Sequence, residues 1–198
     1  MLFDKTHLFL VSPRAIDDAL GSGNSEILER ALDLIEASEL PEDVQELVNE
    51  TLTSWIEQAP KQMNLDLIGT LVLISLVGAV GEPMDIESLE DIPNMHGIIQ
   101  NLTDRMEYNA MVHLFGNPPT PFRTIDTTGT TLDMGFLDGA EVEELYDELV
   151  SIELSDEEID EFSDEFGFDL VEDFVDPIQE TLELAMDSQR EVVCITAD

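Results

Sequence analysis

Apolar residues recur three and four positions apart along most of this chain, and that spacing predicts helices. Ile27, Leu28, Ala31, Leu34 and Ile35 share one face of a helix that Asn24 or Ser25 can cap and that runs to about Ala37. Pro41 opens another, striped by Val44, Leu47, Val48, Leu52, Trp55 and Ile56 and stopped by Pro60. From Leu67 to Gly81 the polar face disappears; only Thr70 and Ser75 interrupt an apolar run that Asn64 can cap and that Gly81 and Pro83 end. As a helix those residues span about 22 Å, short of the ~30 Å hydrocarbon layer. Their flanks are Asp66 and Glu82, without a basic anchor. The run reads as the buried central helix of a globular core, not as a membrane span.

The ends of the chain follow a different rule. Residues 6–12 are β-rich and short enough for a buried strand, and residues 191–196 close the chain as another. Ser12 and Pro13 predict a helix start directly after the first strand, and the short helix ends at Gly21-Ser22-Gly23. In the second half, residues 139–150 turn Val142, Leu145 and Leu149 inward. Ser155 with Glu158 forms a capping-box pattern for a helix whose inner face is Ile159, Phe162 and Phe166. Residues 174–188, with Pro177 in the first turn, predict a final helix.

The middle is less regular. A helix is expected near 98–108, and Ala110–Phe115 fits either strand or helix. Three prolines between Gly116 and Pro121 exclude regular structure there, and the Thr/Gly-rich residues 122–135 read as a loop or a short edge strand. Terminal strands around a helical middle predict an α+β fold, mainly helical, with a small sheet built from the N-terminal and C-terminal strands. Residues 1–198 are expected to form one domain. Any division into two lobes would fall at 116–121, separating a helical lobe (1–116) from an acidic one (122–198).

Composition changes the picture through charge. Of 198 residues, 46 are acidic and 7 basic, a formal net charge of −39, while 43% are hydrophobic. That much apolar material can form a core, which argues against a disordered acidic tail. A field this negative excludes nucleic acid and anionic membrane as binding partners. The charge is uneven: residues 151–198 carry −16, whereas 1–50, 51–100 and 101–150 carry −9, −6 and −8. No base occurs between Arg123 and Arg190. On the helix after Ser155, Asp156, Asp160 and Asp164 form one row at i, i+4, i+8, and Glu157, Glu161 and Glu165 form the next. Like charges at that spacing destabilise a helix by a few tenths of a kcal/mol per pair. With Glu172 and Asp173, these eight residues are the candidate partner-binding set.

Motifs for chemistry fail one by one. Placing Gly167 sixth in a calcium loop puts Phe162 first and Phe166 fifth, where side-chain oxygens are required. His7, His96 and His113 lack metal-ligand spacing, and Gly21-Ser22-Gly23 lacks the third glycine of a dinucleotide fingerprint, with Glu26 in its place. Cys194 lies in a predicted buried strand, where a thiol packs as a small apolar group. No catalytic residue, metal site or cofactor is assigned, and the expected protein is not an enzyme. A single cysteine and the lack of a basic, apolar N-terminal leader point to the cytoplasm.

The order of pieces carries a resemblance. The opening strand leads into Ser12-Pro13-Arg14-Ala15, then follow Leu114-Phe115-Gly116-Asn117-Pro118-Pro119, then Gly135-Phe136-Leu137-Asp138-Gly139, and a last helix runs into Glu191-Val192-Val193-Cys194-Ile195. This layout resembles an uncharacterised family of small bacterial cytoplasmic proteins and, more distantly, the YfbM-like group. The resemblance implies fold and compartment; it carries no activity and no functional residue. Such domains also occur as immunity-type proteins beside toxins. Two functional expectations follow. One is a non-enzymatic immunity or inhibitor protein that holds a basic partner, a toxin or a nucleic-acid-binding protein, through its C-terminal acidic surface. The alternative is a salt-adapted domain with no dedicated acidic site and a small ligand near Pro118–Pro121. Only two lysines and acids in every quarter favour the alternative, whereas 10 alanines against 15 isoleucines do not.

Overall fold

Along the chain the elements are β1 (His7–Val11), α1 (Ala15–Ala19), α2 (Ser25–Glu36), α3 (Glu42–Glu57), α4 (Leu67–Val80), β2 (Glu82–Met84), α5 (Ala110–Leu114), β3 (Ile125–Thr127), β4 (Thr130–Leu137), α6 (Gly139–Ser151), α7 (Asp156–Phe166), a π-turn (Leu170–Val175), α8 (Asp176–Ser188) and β5 (Glu191–Ala197). The computed structural model describes residues 6–38, 40–61, 66–84, 86, 98, 102, 110–115, 125–127, 130–152 and 154–197, and their side chains except those of 125–127, 130–133, 158, 165, 166, 196 and 197. The fold is α+β. Its sheet has the order β2-β1-β5-β4-β3 with antiparallel pairing throughout.

The two chain ends do pair: β1 runs against β5 in the register His7↔Ile195 to Val11↔Glu191. Strands from before and after the proline segment therefore share one sheet. Alternation divides each strand between two faces. Phe9, Val11, Met134, Val193 and Ile195 meet Leu73, Ile74 and Val77 of α4. On the opposite face Leu8, Leu10, Leu137, Val192 and Cys194 join the apolar sides of α5, α6, the π-turn and α8. Helix α4 then turns Leu71, Val72, Leu76 and Ala79 away from the sheet, into a cluster with Ala31, Ile35, Val48, Leu52 and Ile56 of α2 and α3. A helix packed between a sheet and other helices has no wet side, which is why its sequence shows no polar stripe. Among the described residues, no helix is long and apolar enough to cross a membrane.

Several local expectations need correction. Pro13 does not open a helix with Ser12 as its cap. Ala15 N–H bonds Ser12 C=O at 2.9 Å, and Arg14 stands at φ 65°, so Ser12–Ala15 is a type II turn with Pro13 at its second position. The α4 cap is Asp66, whose carboxylate accepts Gly69 N–H at 3.0 Å; Asn64 lies outside the described residues. Pro83 sits within the short edge strand β2, a place where a missing donor costs no ladder bond. Leu47, included in the α3 stripe, is 52% exposed, because it falls at the margin of the face centred on Val48, Leu52 and Trp55. Within the 122–135 segment a short edge strand is present, β3 (Ile125–Thr127), whereas residues 130–137 form an eight-residue strand between β3 and β5. The Thr-rich composition reflects β propensity there.

Two further helices differ in extent. Ala110–Leu114 is helical, and of the helix expected near 98–108 only Ile98 and Leu102 are described, both helical and buried. The proline segment 116–121 lies outside the described residues, as does His96. The expected final helix is two pieces, since Asp176 N–H bonds back five residues to Val171 C=O and closes a π-turn before α8 begins. Pro177 occupies the first turn of α8, where its absent N–H has no partner to lose.

The loop between α1 and α2 shows why two glycines frame it. Gly21 N–H donates to Trp55 C=O and Gly23 N–H to Ile56 C=O, both at 2.8 Å, satisfying carbonyls that the end of α3 leaves open. Gly21 adopts φ +69°, and a Cβ there would lie 2.7 Å from Ala59 N.

Among the described residues, α4 carries a buried polar group without a partner. Thr70 of α4 is 3% exposed, and its hydroxyl oxygen has no hydrogen-bond partner. Thr70→Val keeps the branched shape and removes the orphan hydroxyl. It is expected to raise unfolding free energy by roughly 1 kcal/mol in chemical denaturation. A midpoint at or below that of the parent protein would contradict this.

Candidate partner-binding face

Helix α7 is anchored through Phe162, part of the core on the α8 side of the sheet. Phe162 is buried, Ile159 is half-buried, and Phe162 meets Phe168 edge-on with ring centroids 6.0 Å apart. The outer side of the helix is acid. Asp156, Glu157, Asp160, Glu161 and Asp164 are all exposed. Neighbours at i, i+4 stand about 5–6 Å apart, so two parallel carboxylate rows run along a helix about 16 Å long. The side chain of Glu165 lies outside the described residues, as does that of Glu158 in the expected capping box.

The last two candidates separate. Glu172 is exposed on the π-turn. Asp173 is half-buried, and its carboxylate accepts Asp169 N–H at 2.9 Å, while the Asp169 carboxylate accepts Val171 and Glu172 N–H, each at 2.9 Å. These two aspartates close the turn reciprocally, in the manner of a capping box. Asp173 is thereby a structural residue, and the open face comprises the α7 rows and Glu172.

The acid is not confined to this face. In α2 the exposed residues include Glu26, Glu29, Asp33 and Glu36, and in α3 Glu42, Asp43, Glu46 and Glu50. Those helices form the opposite outer layer, beyond α4. The expected contrast between an acidic C-terminal third and a merely soluble remainder is therefore one of density. Over α2 and α3 Arg30 interrupts the acids, whereas α6 to α8 contain no base.

Two arrangements were missed by sequence reasoning. Asp138 caps α6 by accepting Ala140 and Glu141 N–H at 2.9 and 3.0 Å, and Glu141 returns the bond from Asp138 N–H at 3.1 Å. An Asp followed three residues later by Glu, just ahead of an apolar stripe, is a readable capping signature. The other oxygen of Glu141 meets His113 Nδ1 at 2.8 Å, tying α5 to the start of α6. That pairing spans 28 positions, and no local signal announces it.

Among the described residues, no group of three or more His, Cys, Asp or Glu is arranged to hold a metal ion. Cys194 is fully buried in β5. Between α2 and α3 an open groove of about 570 Å³ is lined by Leu32, Asn49, Glu50, Thr53, Ser54, Glu57 and Gln58. Comparison with protein-family models, with curated proteins and with solved structures finds no match to this chain.

Proposed function

We propose that this chain is a non-enzymatic interaction protein, which holds a basic protein partner against α7 and the turn that follows it. An immunity or inhibitor protein acts this way, covering the positive site of a toxin or nucleic-acid-binding protein. The observation that carries the proposal is the pair of exposed carboxylate rows on α7, in a stretch from α6 to α8 without one compensating base. Such rows cost helix stability, and stability alone would favour interspersed lysines. Fixed rows of one sign speed encounter with an oppositely charged surface and set its register.

The test compares two equal changes of charge. Asp156→Lys/Asp160→Lys/Asp164→Lys reverses one α7 row, and Glu29→Lys/Asp33→Lys/Glu36→Lys makes the same change in α2. In pull-downs from native lysate at low ionic strength, the α7 variant is expected to lose roughly tenfold or more in capture of a basic partner and to flatten its salt dependence. The α2 variant should retain capture. Equal losses from both variants, or no loss from either, would remove the assignment.

A second reading is favoured by the exposed acids of α2 and α3: an envelope adapted to concentrated salt, with no dedicated face. At 1 M salt the screening length falls to about 3 Å and the mutual repulsion disappears. In that case the parent protein unfolds in dilute buffer and is rescued by molar KCl, whereas a binding protein with a local acidic face stays folded in both.

A further inference from the structure

We infer that the end of the sheet where β1 stops and β5 begins holds a proton-binding site on Glu191, through which acid tightens the packing of α1 against α4 and the sheet. This inference is independent of the proposed partner face.

Strand register provides the geometry. Glu191 pairs with Val11 on one side of β5. On the other side Leu137 pairs with Val192, so Asp138, the next residue, comes level with Glu191. Like charges facing each other across antiparallel neighbours repel. Asp138 cannot swing away, because its carboxylate is committed to capping α6 through Ala140 and Glu141 N–H. Asp17 approaches from α1, which follows β1 after one tight turn.

Glu191 is half-buried, which penalises its charged form, and the carboxylates of Asp138 and Asp17 add to that penalty; together they raise its carboxyl above the ordinary value of 4.5. The adjacent base is engaged elsewhere: the Arg190 guanidinium donates to the Glu82 carboxylate.

The sign follows from linkage. A carboxyl group raised in the folded state binds its proton more tightly there than in the unfolded chain. Ionised Glu191 therefore weakens the fold at neutral pH. The weakening is relieved as pH falls through the raised value towards 4.5. The mechanical consequence falls on α1, a five-residue helix that brings one of the repelling charges.

Carboxyl NMR of Glu191 tests this in the parent protein and in Asp138→Asn and Asp17→Asn. Asparagine accepts the same cap bonds as aspartate, so Asp138→Asn removes charge without opening α6. The titration midpoint of Glu191 is expected to move down in each variant. Amide protection across α1, corrected for intrinsic exchange, should rise several-fold on acidification in the parent and stay flat in Glu191→Gln. An unmoved midpoint in both asparagine variants overturns the site. Protection in Glu191→Gln that follows the parent overturns its link to α1, and the NMR arm remains decisive should that variant fail to fold.

Discussion

Gly135→Ala is expected to cost about 3–5 kcal/mol, a large part of the ~5–15 kcal/mol that holds a domain together. Gly135 lies on the sheet face that receives α5, opposite Cys194. A Cβ there would stand 1.8 Å from Leu114 O, 2.2 Å from Leu114 C and 2.5 Å from His113 O. All three are backbone atoms, so no rotamer change can make room. Helix α5 would have to lift, taking buried Met111, Leu114 and Phe115 with it and straining the His113–Glu141 contact. Gly139, four residues on, is the control: nothing lies within 4 Å of its ideal Cβ. At the first position of α6, Gly139→Ala is expected to be neutral or to stabilise by up to about 1 kcal/mol. Urea denaturation of both variants checks the pair. A Gly135→Ala midpoint close to that of Gly139→Ala would mean that α5 does not press on β4 in solution.

Phe174→Ala is expected to cost about 3–5 kcal/mol, the usual range for deleting a buried aromatic ring. Phe174 is completely buried, and its ring stacks on Phe115 with centroids 5.7 Å apart and planes 23° from parallel. The π-turn places Leu170, Phe174 and Val175 in the same core as Phe162 of α7. Loss of Phe174 therefore also loosens the platform on which the acidic rows stand. Phe174→Leu retains most of the apolar area and should recover more than half of the loss. A double-mutant cycle with Phe115→Leu is expected to leave a coupling of about 0.5–1.5 kcal/mol for the stacked pair. A Phe174→Ala protein within 1 kcal/mol of the parent would contradict the packing of the π-turn against α5.

The two variants also separate stability from binding. Neither touches a candidate partner residue. Reduced capture by a folded Phe174→Leu protein would mean that the orientation of α7, and not only its charge, matters to the partner. Neutralising one α7 row should leave stability unchanged or raise it slightly, because it removes like-charge i, i+4 pairs that each cost a few tenths of a kcal/mol.

Which parts of this molecule were written in local order is clear from particular residues. The α2 stripe with its Asn24 cap, the inward Val142, Leu145 and Leu149 of α6, and the terminal strands around Phe9 and Cys194 follow from periodicity, because spacings of 3.6 and 2 decide which side chains share a face. The apolar run of α4, interrupted only by Thr70 and Ser75, likewise announced burial on every side. The carboxylate rows of α7 were legible for the same reason, as was the charge of the whole chain.

Packing decided the rest. That β5 lies between β1 and β4, that residues 130–137 form an inner strand, and that Gly135 admits the backbone of α5 depend on partners brought in from distant positions. So do the meeting of Asp138 with Glu191 and the spread of acid over both outer layers. Periodicity assigns each residue to a face of its own element but is silent on which element will cover that face. Strand order and the neighbours of a charge are settled only when long-range contacts close.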